Sequence, residues 1–212
     1  MSGLSLDPAA MAQRDRYKLL ISLVIPRPIA LVTTLGPTGI VNAAPFSFFN
    51  LFSESPPLCV LGLQSKPDKS LKDTSAHIRD RGAFVVNLVD EALGERMNIC
   101  AIDFPPEISE IDAAKLTLLP SEKVAIPRIA EAPAALECRH YTTLEVSAER
   151  RLAIGEIVHI HVREGIVDPE KLYVDMTQYR PLARLFGNYY ATLGEPFTHV
   201  RQTYEEWAEQ KK

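Results

Sequence analysis

The segment SKPDKSLKDTS, residues 65–75, gathers Lys66, Lys69 and Lys72 with several hydroxyls just before a stretch of helical character. Free backbone N–H groups at a helix start, a lysine and a threonine or serine hydroxyl together suit a phosphate. The same residues also suit a solvated, well-capped loop, with Ser70, Asp73 or Thr74 as the cap. A second concentration is NAAPFSFFN, residues 42–50, which follows the paired threonines Thr33 and Thr34. Read as a strand, neither of its faces is consistently apolar. Small residues at Ala43, Ala44 and Ser47 let a flat ligand approach the backbone, Pro45 removes one donor, and Phe46, Phe48 and Phe49 are placed to wall it. Aromatic core packing interrupted by a bulge at Pro45 explains the segment equally well.

Other chemistries find less support. His159 and His161 lie on one strand face, about 7 Å apart by strand rise, but no Cys, Asp or Glu motif accompanies them, so a polar face or a subunit interface is preferred to a metal site. There is no G-x-S-x-G elbow, no G-x-G-x-x-G after a strand and no G-x-x-x-x-G-K-[ST]. Glu54, Glu107 and Glu110 fall in turn-like or surface-like segments, where carboxylates are ordinarily solvated. Cys59, Cys100 and Cys138 are widely spaced and form no C-x-x-C pair, which reads as buried reduced thiols.

The elements that must position these residues are mostly strands. PIALVTTL from Pro28 and a second strand from Ile40 form a hairpin across GPTG, and LCVLGLQS from Leu58 is another strand after the two prolines of SESPP. A short helix follows Lys72 and closes at Arg79, Arg81 and Gly82. AFVVNLV from Ala83 is β-branched, and DEALGERMNICAID has helical spacing at Leu93, Met97 and Cys100. The alternation of strand and helix here suggests helices covering sheet edges. From Phe104 to Pro133 five prolines indicate a long excursion with short extended pieces. ALECRHYTTLEVS and RLAIGEIVHIHVREGIVD read as a long antiparallel pair with Ile154, Val158, Ile160 and Val162 on a buried face. An aromatic tail ends in a short polar helix around TYEEWAEQKK.

The chain has 212 residues, 46% apolar and 24% charged, which is ordinary for one domain spanning 1–212, with its core at about 17–195 and a tail at 196–212. A formal charge of −4 argues against nucleic-acid partners. The longest apolar run, LLISLVIP from Leu19, is far short of the roughly 20 residues that span a bilayer, so no membrane partner is expected. No apolar signal region opens the chain, and a cytoplasmic location is expected. Many strands with few helices point to a mainly β fold, a barrel or sandwich with flanking helices.

Several of these motifs occur in a telling order: PRPIALVTT at 26–34, G-x-x-N-x-A-P-F-S-F-F-N from Gly39, PP at 56–57, KDT at 72–74 and FVVNLV at 84–89. With PRIAEAPAALECR, IGEIVHIHV and PLARL further on, they resemble the flavin reductase-like, FMN-binding split-barrel family over residues 17–195, most closely its flavoredoxin-like branch. The resemblance implies an antiparallel split β-barrel with a few flanking α-helices, and a homodimer holding FMN near the subunit interface. It also implies electron transfer from NAD(P)H to flavin or to a protein acceptor. By matched motif, the isoalloxazine pocket falls on Thr33, Thr34, Asn42, Ala44, Pro45, Ser47, Phe48, Phe49 and Asn50. Phosphate contacts fall on Lys72, Asp73 and Thr74, with Ser65 and Arg27 as neighbours. In one departure, RLFGNYY replaces the R-L-G-G that often precedes a tyrosine in the family, which leaves Arg184, Tyr189 and Tyr190 without an assigned role.

Overall fold

The computed structural model describes residues 3–105 and 108–209. Helix α1 (Gln13–Leu23) leads into a short strand β1 (Arg27–Pro28), and then β2 (Ala30–Leu35) and β3 (Val41–Phe46) form the expected hairpin. GPTG makes the turn: Gly36 N–H donates to the Ile40 carbonyl at 2.9 Å, and Gly39 takes φ +86°, which a side chain resists. Strands β4 (Phe49–Glu54), β5 (Pro57–Gln64) and β6 (Ala83–Leu88) follow, with α2 (Asp73–Arg81) between the last two. A 3₁₀ turn and α3 (Gly94–Ile99) open the excursion, which contains α4 (Glu110–Ala113), β7 (Leu118–Leu119) and β8 (Arg128–Ile129). The long strands β9 (Ala134–Glu145) and β10 (Arg150–Val162) precede the short β11 (Leu182–Arg184) and β12 (Tyr190–Thr192), and α5 (Tyr204–Glu209) lies in the tail.

Seven strands form one antiparallel sheet in the order β3-β2-β6-β9-β10-β5-β4. Its two edge strands, β3 and β4, are consecutive in the chain and are separated only by Ser47 and Phe48. So short a link joins opposite edges only if the sheet curls until they meet, so the sheet becomes a barrel. The barrel is split because β3 and β4 do not pair with each other. At the seam Gly62 N–H of β5 donates to the Phe48 carbonyl at 2.7 Å, and a Cβ at position 62 would stand 2.8 Å from the Phe48 Cβ.

Alternation along the strands sorts side chains between two cores. Inside the barrel lie Val32, Leu61, Phe84, Val86, Cys138 and Ala153, with Phe49 among them. Leu31, Ala43 and Val89 face outward under Leu93 and Met97, and a smaller outer cluster joins Val85 and Ala135 to Ile126 of the excursion. All three cysteines are buried free thiols, and Cys59 and Cys138 have their sulfurs 3.7 Å apart.

Four expectations need correction. NAAPFSFFN is neither one strand nor a bulge but the end of β3, a two-residue junction and the start of β4. The LLISLVIP run supplies the end of α1, a helix the sequence did not announce because its apolar side chains are not buried: Leu20 is 49% exposed and Leu23 69%. No side chain caps α2, whose N-cap is Lys72, because Ser70 Oγ donates instead to Asp68 at 2.6 Å. The expected buried face of β10 is interrupted by irregularities after Ile154 and after Ile157, which leave Ile160 and Val162 exposed.

Gly155 marks the tightest point of the interior. A Cβ there would collide with the Phe84 ring and lie 3.1 Å from the Cys138 Cβ. Gly155→Ala is expected to lower stability in urea unfolding by about 1–3 kcal/mol, the usual cost of overpacking. Gly194→Ala, with nothing within 4 Å, serves as the silent control.

Candidate functional site

The β3–β4 junction is held by a buried arginine. Arg27, 7% exposed, donates through Nη1 to the Ile21 and Val24 carbonyls at 2.6 and 2.8 Å, through Nη2 to the Leu185 carbonyl, and through Nε to Ser47 Oγ at 3.4 Å. It ties the end of α1 and the turn after β11 to the junction. Burial pulls its pKa below the ordinary arginine value, but four acceptors face the guanidinium and favour its charged form. All three of its nitrogens are thus engaged within the chain, at the junction read as the ring end rather than at the helix start read as the phosphate end.

On β3, Asn42 and Ala44 lie in register with Thr34 and Val32 and share their interior-facing side, while Pro45 lies in register with Leu31. Pro45 is tolerated because β3 is an edge strand and needs no donor on its free side. Beyond the junction the three phenylalanines part company. Phe46 is partly buried against the interior core, Phe49 belongs to that core, and Phe48 is 48% exposed with Tyr17 edge-on at 6.4 Å between centroids. The Phe49 ring is thus packed in the interior core, while Phe48 is the phenylalanine at the surface of the seam. Asn50 is exposed, and its Oδ1 accepts from Leu51 N–H at 2.8 Å.

The lysine-rich segment meets β3 directly. Asn42 Nδ2 donates to Thr74 Oγ1 at 3.2 Å, joining the strand read as the ring end to the helix start read as the phosphate end. Thr74 is 3% exposed, and no side chain occupies the cap of α2, so the first-turn N–H groups are left for a ligand. Lys72 is exposed with its ammonium 3.6 Å from Asp103, and Asp73 is exposed 3.6 Å from Lys66, so both side chains are held loosely at the surface. Deeper in, Thr34 Oγ1 lies 3.1 Å from His77 Nδ1. Desolvation is the main reason the His77 pKa falls below its usual value.

Two expected site residues are occupied elsewhere. Thr33 is fully buried and donates to the Pro127 carbonyl at 2.8 Å. Ser65 donates to the Ala148 carbonyl at 3.0 Å and accepts from Arg151 Nη1 at 2.6 Å. The RLFGNYY segment is turned on itself: the Arg184 guanidinium stacks 4.5 Å from the Tyr190 centroid, and Phe186 packs beside Tyr189.

Glu110 was placed with the surface carboxylates, but it reaches β3, where its Oε2 accepts from Ala43 N–H at 3.4 Å. Burial raises its pKa, and the same carboxyl adds to the burial that pushes the Cys100 thiol up to about 12. Nothing in the proline-rich sequence around Glu110 indicates this, whereas His77, three residues after Thr74, was legible as sharing its helix face. Glu107 lies outside the described residues. His159 and His161 do have an acidic companion, Glu137, and one ligand atom from each lies within 4.8 Å of the others. That carboxylate already accepts from Glu122 N–H at 2.7 Å, Lys123 N–H at 2.6 Å, Val124 N–H at 3.1 Å and His161 Nε2 at 2.6 Å, a full set of partners that makes it an anchor.

A barrel split at Ser47–Phe48, with β3 joined to an uncapped helix start, narrows the possibilities, and comparison decides the family. Residues 22–183 match the flavin reductase like domain. The chain belongs to the flavin reductase-like family. Its structure is similar to that of 2-nitrobenzoate 2-nitroreductase NbaA from Pseudomonas fluorescens, at 39% identity and TM-score 0.86 over 95% of this chain and 98% of that one. It is also similar to nitrilotriacetate monooxygenase component B from Bacillus cereus, at 37% identity and TM-score 0.89 over 94% and 100%. Flavoredoxin of Desulfovibrio vulgaris (Miyazaki F), at 22% identity and TM-score 0.72 over 84% and 92%, shares the split-barrel fold. Membership in the flavin reductase-like family indicates a flavin cofactor and oxidoreductase chemistry. Among the described residues no helix is long and apolar enough to cross a membrane.

The raised Glu110 pKa gives a signed prediction. A carboxyl whose folded pKa exceeds its unfolded value contributes stability that is fully present below the unfolded pKa and is lost as pH rises through the folded one. Glu110→Gln removes this loss, so the variant should gain stability relative to the parent as pH rises from about 4.5, followed as urea midpoints across the acidic range.

Proposed function

We propose that the chain is an FMN-dependent NAD(P)H oxidoreductase, a flavin reductase that moves hydride from the nicotinamide to flavin. The observation that carries this reading is the Asn42–Thr74 hydrogen bond, which brings the ring-binding strand and the phosphate-binding helix start into one site. Two features of this chain suit FMN: a helix start with no side-chain cap at Lys72, and small residues at Ala44, on a strand at the edge of the sheet, and at Ser47 in the junction after it. A bound flavin supplies the hydride chemistry itself, so no protein general base is needed.

The residues then divide the work. Lys72, Thr74 and the first-turn N–H groups of α2 hold the phosphate, with the loose Lys66–Asp73 pair at its margin. Asn42, Ala44, Pro45 and the backbone from Ser47 to Asn50 orient the ring, and the Arg27 clamp keeps that junction rigid. Phe48, half exposed at the seam, borders the face on which a nicotinamide stacks, so proximity and orientation supply much of the rate. Thr33 and Thr34 act from beneath, through Pro127 and His77.

A homodimer completes the reading. Leu23 and Val24 at the end of α1 are 69% and 63% exposed, and Leu51 and Phe52 on β4 are 62% and 71% exposed. Arg27 and Ser47 connect those two regions, so the apolar surface surrounds the proposed ring site and suits a second copy of the chain. Phe52→Glu is expected to give monomer in sedimentation, while the parent sediments as dimer.

The assignment is tested by visible absorption of the purified protein, before and after incubation with FMN. Protein that stays colourless overturns it. If FMN binds, Lys72→Ala and Thr74→Val should each weaken binding by about 1.5–3 kcal/mol, the contribution of a hydrogen bond to a charged group, and unchanged affinity removes the phosphate assignment. NADH and NADPH oxidation with free FMN, FAD or riboflavin then separates a reductase from a carrier that retains its flavin and reduces a protein acceptor.

A further inference from the structure

Downstream of β12 the chain carries apolar residues that the barrel does not bury. Leu193, Phe197, Val200, Tyr204 and Trp207 follow one another at intervals of four, three, four and three residues, the spacing of an apolar helical stripe. All five are exposed, Phe197 to 82%, Val200 to 83% and Tyr204 to 74%. Among the described residues no backbone hydrogen bond joins 193–209 to the barrel. The arm is nevertheless shaped at its end. Thr203 N–H donates to Glu206 Oε2 at 2.8 Å and Glu206 N–H donates to Thr203 Oγ1 at 3.2 Å, a reciprocal cap that starts α5 and presents Tyr204 and Trp207 side by side, 6.0 Å between ring centroids.

Helix α1 offers the complementary surface. Tyr17, Leu20 and Val24, three and four residues apart, form an exposed stripe with Leu23 beside it. Arg14 and Lys18, four residues apart, run along one flank of this stripe, and Glu205 and Glu209, also four apart, run along the same flank of the Tyr204–Trp207 face. None of these four makes an ion pair among the described residues. Like charges at this spacing repel on a helix, so each pair is relieved by the other. Two helices packed face to face and antiparallel set equivalent flanks against each other. Glu205 then meets Lys18, and Glu209 meets Arg14.

Within one chain the two faces stay apart, although β12 connects through β11 to β1, the strand that follows α1. Leu23 and Val24 also belong to the apolar surface that suits a second copy. From these observations we infer that the arm 193–209 docks on α1 of a second copy of the chain, Tyr204 and Trp207 covering the Tyr17–Leu20–Val24 stripe. The exchange is reciprocal, as a two-fold dimer requires. This inference rests on the homodimer reading and adds a role for the partner: carbonyls of Ile21 and Val24 hold Arg27, and Tyr17 stands edge-on to Phe48, so the partner's arm braces the junction at the proposed ring site.

Full-length Lys18→Cys and Glu205→Cys proteins are mixed and oxidised with diamide, the three native thiols being buried. A disulfide joining one chain of each kind, identified by mass, is expected in far higher yield than from either variant alone. Trp207 is the only tryptophan, so its emission reports on the arm. Reversing Arg14 and Lys18 to Glu should shift that emission to the red and weaken the dimer by about tenfold, and adding Glu205→Lys and Glu209→Lys should restore both. A dimer that gives no mixed disulfide, or whose Trp207 emission ignores the charge reversal, overturns the inference and leaves the homodimer reading intact. A disulfide formed only within single chains of the doubly substituted protein also overturns it, placing the arm on its own body. A parent protein that sediments as monomer overturns both.

Discussion

Two residues link the opposite edges of a seven-stranded sheet, and that single connection dictates the shape of the molecule. Because Ser47 and Phe48 span the seam, β3 and β4 must approach each other, yet they do not pair with each other. An open edge ordinarily invites aggregation. Here the seam is bounded by α1, by the turn after β11 and by α2, and Arg27 binds the first two to the junction through carbonyl oxygens. Phe48 fits only because β5 carries Gly62 opposite it. The candidate flavin site thus lies where the barrel does not complete its strand pairing.

The opposite face is governed by buried polar anchors. The excursion between α3 and β9 has little regular structure, so its backbone groups need partners from the barrel. Glu137, wholly buried, receives three consecutive N–H groups from residues 122–124. Those bonds outweigh the desolvation that burial imposes and hold its pKa below the usual carboxylate range. Asn87 contributes on both sides, donating to the Leu31 carbonyl and accepting from Ile129. These bonds set β8 against the sheet, and with it Arg128, whose buried Nε has no hydrogen-bond partner, in contrast with the full satisfaction around Glu137.

Period-two patterns and turn residues made most strands legible, because β2, β6 and the first half of β9 bury their side chains within this chain and their composition reflects it. Helix α1 and strand β4 escaped for the converse reason: their apolar residues stay exposed here, so no half-polar pattern marks their faces. The KDT and NAAPFSFFN motifs stood apart in the sequence, and the structure brings them into contact through the Asn42–Thr74 hydrogen bond. That Phe49 packs in the core and that Arg27 ties α1 to the junction could not be read from the sequence, since a residue type says what a side chain can do and not which neighbour reaches it.

Sequence alone therefore determined the family and the antiparallel barrel, and it singled out the segments of the candidate site, because these depend on local patterns and on an ordered set of motifs. Tertiary structure decided which side chains are free. Glu110 reaching Ala43, Glu137 beneath His161 and Arg128 left without a partner all depend on segments of the excursion meeting distant strands. Such meetings follow from chain closure and desolvation, which are properties of the packed whole and leave no periodic trace in the residues themselves.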